Sequence, residues 1–152
     1  MKNLDKYLTL LDGEVDGLLL TSRYSRHYGA EFDISEGVAI VTKKGCRYFT
    51  DSRYIESAEN GLKGFEVLEV GKGNGYFKRI NDAIADFGVT ALGFEEVYLT
   101  VAEYKTFDEN FVEGVYDAIS LENCIARRIS EGSTGYKSVE RQIEVVTAFL
   151  NK

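Results

Sequence analysis

The chain has 152 residues, 44% of them apolar and 28% charged, a length and balance that suit one globular domain and exclude a disordered polyelectrolyte or a fibrous repeat. The net charge is −7, and the acidity is concentrated: residues 61–120 carry 5 basic and 11 acidic groups, against 8 and 10 in residues 1–60 and 5 and 4 in residues 121–152. That balance runs against nucleic-acid binding, where phosphate contacts supply most of the affinity, and no apolar run approaches the ~18 residues of a membrane span.

Leu4, Tyr7, Leu8 and Leu11 recur at helical spacing, so a helix opens the chain and Gly13 can end it. The same stretch lacks the continuous apolar run and cleavage site of a signal peptide, and a cytoplasmic protein is expected. Val15 to Thr21 is a buried-type strand, and the polar, aromatic stretch from Ser22 to Gly37 shows no clean period, so a loop with one helical turn at most is expected there. Gly37–Thr42 and Cys46–Thr50 are β-rich and flank Lys43-Lys44-Gly45, the composition of a hairpin. Asp51 or Ser52 is placed to cap a helix carrying Tyr54, Ile55 and Ala58, which Asn60-Gly61 would end.

Phe65–Val70 alternates as a half-buried strand. Tyr76, Ile80, Ala83, Ile84 and Phe87 then form a helical stripe stopped by Gly88, before a strand over Thr90–Phe94. Thr100 and Glu103 make a T-x-x-E capping box for a helix through Tyr104, Phe107 and Phe111. A last strand is expected at Val115–Ile119, a Gly/Ser linker at Ser130–Gly135, and a final helix carrying Val139, Ile143, Val146 and Leu150. Strands alternating with helices give an α/β fold with helices on both faces of one sheet, made mixed by the hairpin.

Few motifs carry chemistry. Cys46 and Cys124 stand far apart beside a single histidine, His27, so no zinc spacing or disulfide framework exists and buried thiols are expected. Proline is absent, which removes any PxxP ligand. Gly71-Lys72-Gly73-Asn74-Gly75 sits where backbone amides could hold a phosphate, yet it matches neither the Walker nor the dinucleotide pattern, and a flexible strand-to-helix loop is the preferred reading. The pairs Glu95-Glu96 and Asp108-Glu109 read as solvated acidic face. Arg23, Tyr24, Arg26, His27 and Tyr28, with Arg47-Tyr48 and Arg53-Tyr54, interleave planar cations and phenols, suited either to carboxylate or phosphate recognition or to plain packing.

The order VDGLLLTSRYSRHYGAEFDISEGVAIVTKKGCRYFTDSRYIESA resembles the N-terminal domain of the creatinase/prolidase/aminopeptidase P family of Xaa-Pro peptidases. Asp16-Gly17 match its first strand, Tyr28 and Phe32 its Y-L-T-G-F loop, Ser35 and Gly37 its small residue and glycine, and Thr50, Asp51, Arg53, Tyr54 and Ala58 its T-D-x-R-Y motif. Gly93-Phe94-Glu95 is similar to a later G-F-E. Gly29, Ala30 and Glu31 depart from the loop pattern, and the likeness, best over residues 4–120, weakens past Ser120.

The resemblance implies a three-layer α/β/α domain with a mixed, ribonuclease H-like sheet over residues 1–120. Residues 121–152 would be a linker and helix leading toward an absent catalytic domain. It implies no catalytic or metal-binding residue in this chain: two divalent metals (Mn, Co or Zn) belong to the missing domain, and the chain is expected to be inactive alone. The expected role is that of a non-catalytic N-terminal domain contributing to oligomerisation and to one wall of the substrate site. Its partners would be a second copy in a homodimer, the catalytic domain and a proline-containing peptide, with no nucleic acid and no membrane. Tyr28, Phe32 and Ser35 would lie near the cleft, while Asp51, Arg53 and Tyr54 serve either structure or the subunit contact. The alternative is a free-standing ligand- or protein-binding module of the same fold.

Overall fold

The computed structural model describes residues 2–11, 15–95, 98–111 and 149–150. The elements run α1 (Asn3–Leu8), β1 (Gly17–Leu20), α2 (Arg23–Ala30), β2 (Val38–Thr42), β3 (Gly45–Asp51), α3 (Ile55–Gly61), β4 (Glu66–Val70), α4 (Tyr76–Phe87), β5 (Leu92–Gly93) and α5 (Val101–Asn110). The sheet order is β4-β3-β2-β1-β5. Pairing is antiparallel for β1–β2 and β2–β3 and parallel for β3–β4 and β1–β5. Four strands therefore point one way and β2 alone points back, which is the expected mixed α/β sheet.

Alternation of side chains across the strands builds a core on each face. Leu18, Leu20, Ala39, Val41 and Tyr48 meet Tyr7, Tyr28, Ala58 and Leu62 from α1, α2 and the α3 region. Leu19, Ile40, Phe49 and Leu92 meet Ile80, Ala83 and Ile84 of α4, together with Phe111. Each of the buried Leu, Ile, Val and Phe side chains taken out of water stabilises the fold by about 1.5–3 kcal/mol. Cys46 is buried and unpaired, and burial pushes its thiol up, as expected of a structural cysteine.

Local chemistry explains where the elements begin and end. Thr42 closes the two-residue hairpin turn, its hydroxyl donating to the Gly45 carbonyl at 2.7 Å while accepting from the amides of Lys44 and Gly45. Gly88 takes the left-handed conformation (φ 63°) that ends α4, a position where a Cβ is costly. Thr100 caps α5 by accepting from the Glu103 amide at 3.1 Å.

Two expectations are corrected. The stretch after Ser22 holds more than one helical turn: its first part is the eight-residue helix α2, whose inner face is Ser25, Arg26, Tyr28, Gly29 and Ala30 rather than an aliphatic stripe, and residues 31–37 are the expected loop. Ser22 caps it, accepting from the Ser25 amide at 3.1 Å. Nor does Asp51 or Ser52 cap α3, whose N-cap is Tyr54 with no side-chain bond. Asp51 instead accepts from the Arg53 amide at 3.0 Å and closes the preceding turn. The strand expected at 115–119, the linker at 130–135, most of the final helix, Cys124 and the boundary after residue 120 lie outside the described residues.

Candidate functional site

Because four strands run the same way, their carboxyl ends share one edge of the sheet, the edge where α/β folds commonly present ligand and partner contacts. β1 leads there into Thr21 and Ser22, β3 into Asp51, β4 into Gly71 and β5 into Glu95, while β2 starts there after Ser35–Gly37. Of the predicted residues, Ser35, Asp51, Arg53 and Tyr54 come together on this edge. Tyr28 sits inside, 5% exposed, on the inner face of α2 with its ring 5.4 Å from that of Tyr7. Phe32 is half-buried and lies over the last turn of α3, where a side chain at Gly61 would collide with its ring.

Arg26 organises the centre of the edge. It is 4% exposed, and its guanidinium donates to the Ile34 carbonyl at 2.8 Å, to the Tyr48 hydroxyl and, at 3.3 Å, to the Ser35 carbonyl. Its acceptors are carbonyls and a phenol rather than a carboxylate, and Nε finds no partner. Burying a guanidinium on such terms is expensive, so the contacts that hold it also hold the Ile34–Ser35 backbone in place. Gly37, two residues on, has φ 151°, and a Cβ there would approach Tyr48 Cε1 to 2.7 Å. Thr50 donates to the Glu36 carbonyl at 2.8 Å and pins the same segment to β3.

The two exposed arginines of the edge are closed onto their own carboxylates. Arg23 grips Asp33 through Nε and Nη2 at 2.8 and 2.7 Å. Arg53 grips Asp51 in the same way at 3.0 and 2.8 Å and lies over the Tyr54 ring, 5.1 Å from its centroid. Each fork holds its aspartate below the usual carboxylate range. A ligand carboxylate or phosphate would have to displace these partners, which argues against the two forks as a free anion site.

Glu95 corrects the reading of it as solvated surface. It is 1% exposed, and its carboxylate accepts from the Thr21 amide at 2.6 Å, the Ser22 amide at 2.8 Å, the Ser22 hydroxyl at 2.8 Å and the Thr21 hydroxyl at 3.2 Å. Composition hid it among 25 acidic residues; the G-F-E likeness was the one signal that set it apart. Asp108 and Glu109 are exposed, as expected. His27 is exposed on α2. The Gly71–Gly75 segment is a turn closed by reciprocal backbone bonds between Gly71 and Asn74, both 3.0 Å, ahead of an α4 start without a side-chain cap. Among the described residues no group of three or more His, Cys, Asp and Glu is placed to hold a metal ion, so the donor set does not fit a metal centre in this part of the chain. No described helix is long and apolar enough to cross a membrane.

The pattern of the creatinase/prolidase N-terminal domain matches residues 2–128. The uncharacterized peptidase YqhT of Bacillus subtilis is 33% identical over 93 residues, 61% of this chain and 26% of that protein. Argininosuccinate lyase of Caldicellulosiruptor bescii is 46% identical over 54 residues, 36% of this chain and 12% of the lyase. Among solved structures, an Xaa-Pro dipeptidase from Bacillus anthracis superposes with a TM-score of 0.70 at 22% identity, covering 99% of this chain and 48% of that one. The chain thus spans about a quarter of the peptidase relative and about half of the dipeptidase chain.

Proposed function

The chain belongs to the creatinase/prolidase N-terminal domain family, and from that premise we propose that it is the non-catalytic part of an Xaa-Pro peptidase, supplying a subunit contact and one wall of a substrate site. The observation that carries this reading is the match to an N-terminal domain pattern by a chain that spans 26% of its peptidase relative. The convergence of Ser35, Asp51, Arg53 and Tyr54 on one edge supports it. Divalent metals, and the water they would activate, belong in this reading to the catalytic domain, and this chain's residues contribute only shape and contact. Arg53 and Tyr54, exposed and half-buried, offer a rigid cation-on-phenol surface to a second copy.

Sedimentation velocity of the full chain tests the contact. A dimer that forms with rising concentration, and that Arg53→Ala weakens several-fold without lowering the melting temperature, is the expected result. A monomer at every concentration overturns the contact role.

The 46% identity to argininosuccinate lyase over 54 residues favours a second reading for part of the chain, a segment of lyase ancestry that retains a ligand contact. Argininosuccinate would then raise the melting temperature of the purified chain, because a ligand that binds the native state stabilises it. No shift at millimolar ligand rejects that reading.

A further inference from the structure

Asp16 and Glu95 are mirror images across one strand pair. β1 and β5 pair through only two registered positions, Gly17 with Leu92 and Leu18 with Gly93. So short a ladder is a weak edge, and a carboxylate closes it at each end. Asp16, just before β1, accepts from the Thr90 and Ala91 amides, each at 3.0 Å, and from the Thr90 hydroxyl at 2.8 Å, just before β5. Glu95, just after β5, accepts from Thr21 and Ser22, just after β1. The D-G and G-F-E signatures, 79 positions apart at their outer ends, are thus two halves of one reciprocal device.

The halves differ in what lies beyond them. The bonds of Asp16 end at Thr90 and Ala91. The Ser22 hydroxyl that donates to Glu95 also accepts from the Ser25 amide, in the first turn of α2. The backbone carbonyl of Glu95 meanwhile accepts from the Tyr98 amide at 3.2 Å. Tyr24 on α2 is 72% exposed and Tyr98 is 42% exposed, with their rings 6.0 Å apart. One residue therefore grips both supports of an exposed aromatic pair: its carboxylate holds the helix carrying Tyr24, and its carbonyl holds Tyr98.

We propose that Glu95 is a positioning residue for the carboxyl edge, setting α2 and the Tyr24–Tyr98 pair through Ser22, a role that rests on the reading of that edge as a contact surface. The reciprocal partner provides the control. Asp16→Asn and Glu95→Gln both weaken the β1–β5 closure, but only Glu95→Gln puts an amide donor against Thr21 and Ser22 and breaks the relay into α2.

Hydrogen exchange by NMR on the full chain, with the ring-to-ring contact of Tyr24 and Tyr98, decides between the roles. Glu95→Gln is expected to speed exchange of the Ser22, Ser25 and Arg26 amides by about tenfold or more and to abolish the ring contact. Asp16→Asn is expected to speed Thr90 and Ala91 alone. Equal loosening of α2 by both variants, or none by Glu95→Gln, overturns the proposal and leaves Glu95 a plain strand clamp. Should Glu95→Gln fail to fold, Ser22→Asp keeps a capping acceptor for the Ser25 amide but removes the donor to Glu95, and is expected to loosen the same α2 amides; unchanged α2 exchange there overturns the proposal as well. Sedimentation of the same variants separates the two readings: loosened α2 with unaltered association upholds positioning and rejects the contact surface.

Discussion

The two ends of the β1–β5 pair use the same device to different effect. At the amino end Asp16 satisfies two amides and a hydroxyl of Thr90 and Ala91, the residues that lead into β5. At the carboxyl end Glu95 does the same for Thr21 and Ser22, but the bonds continue into α2, toward Arg26, Tyr24 and the Ile34–Ser35 backbone. A clamp becomes functional through what its partners carry, not through its own chemistry.

The comparison can be broken from the middle. Leu18→Ala empties a fully buried site between the two clamps and is expected to cost about 3 kcal/mol in urea unfolding, loosening both ends together; a loss confined to one end would show that the pair is not one unit. Arg26→Met sharpens the contrast, because it strips the donor from Tyr48, Ile34 and Ser35 at the carboxyl end only. A cost of about 1–3 kcal/mol is expected from acceptors left unpaired, with Thr90 and Ala91 exchange unchanged; faster exchange at those two amides would erase the distinction.

Acid probes the other end. Partial burial tends to raise the Asp16 carboxyl, but the bonds from Ala91 and Thr90 outweigh it and hold it below its ordinary value. A carboxyl lowered in the folded state contributes stability that is present above its unfolded value and lost as pH falls through its folded value. Asp16→Asn is therefore expected to lower stability at neutral pH and to flatten its decline below about pH 4, and denaturant titrations at several pH values would show it; a decline as steep as the wild type's contradicts the assignment. The smallest effect is expected of Arg23→Ala, which removes an exposed pair and should leave the melting temperature unchanged.

The sequence was most legible where structure is local. The hairpin turn at Thr42–Gly45 and the α4 stripe ending at Gly88 follow from neighbouring residues alone. α2 was not legible, because its inner face is Ser25, Arg26, Tyr28, Gly29 and Ala30 rather than an aliphatic stripe, and part of its cap is anchored by Glu95, 73 positions away from Ser22. Asp51 misled for a related reason: a capping residue beside an arginine two positions on closes its own turn and takes the fork. At the candidate site, the T-D-S-R-Y likeness located Asp51, Arg53 and Tyr54, yet the internal capture of both exposed arginines could be seen only with Asp33 and Asp51 in place.

The central claim is that this chain supplies contact and shape rather than chemistry. Incubating the purified chain with Mn²⁺ or Co²⁺ and an Xaa-Pro peptide, and following release of the residue ahead of proline, tests it most directly. The account predicts no turnover above the metal alone, while robust cleavage that chelation abolishes would contradict it.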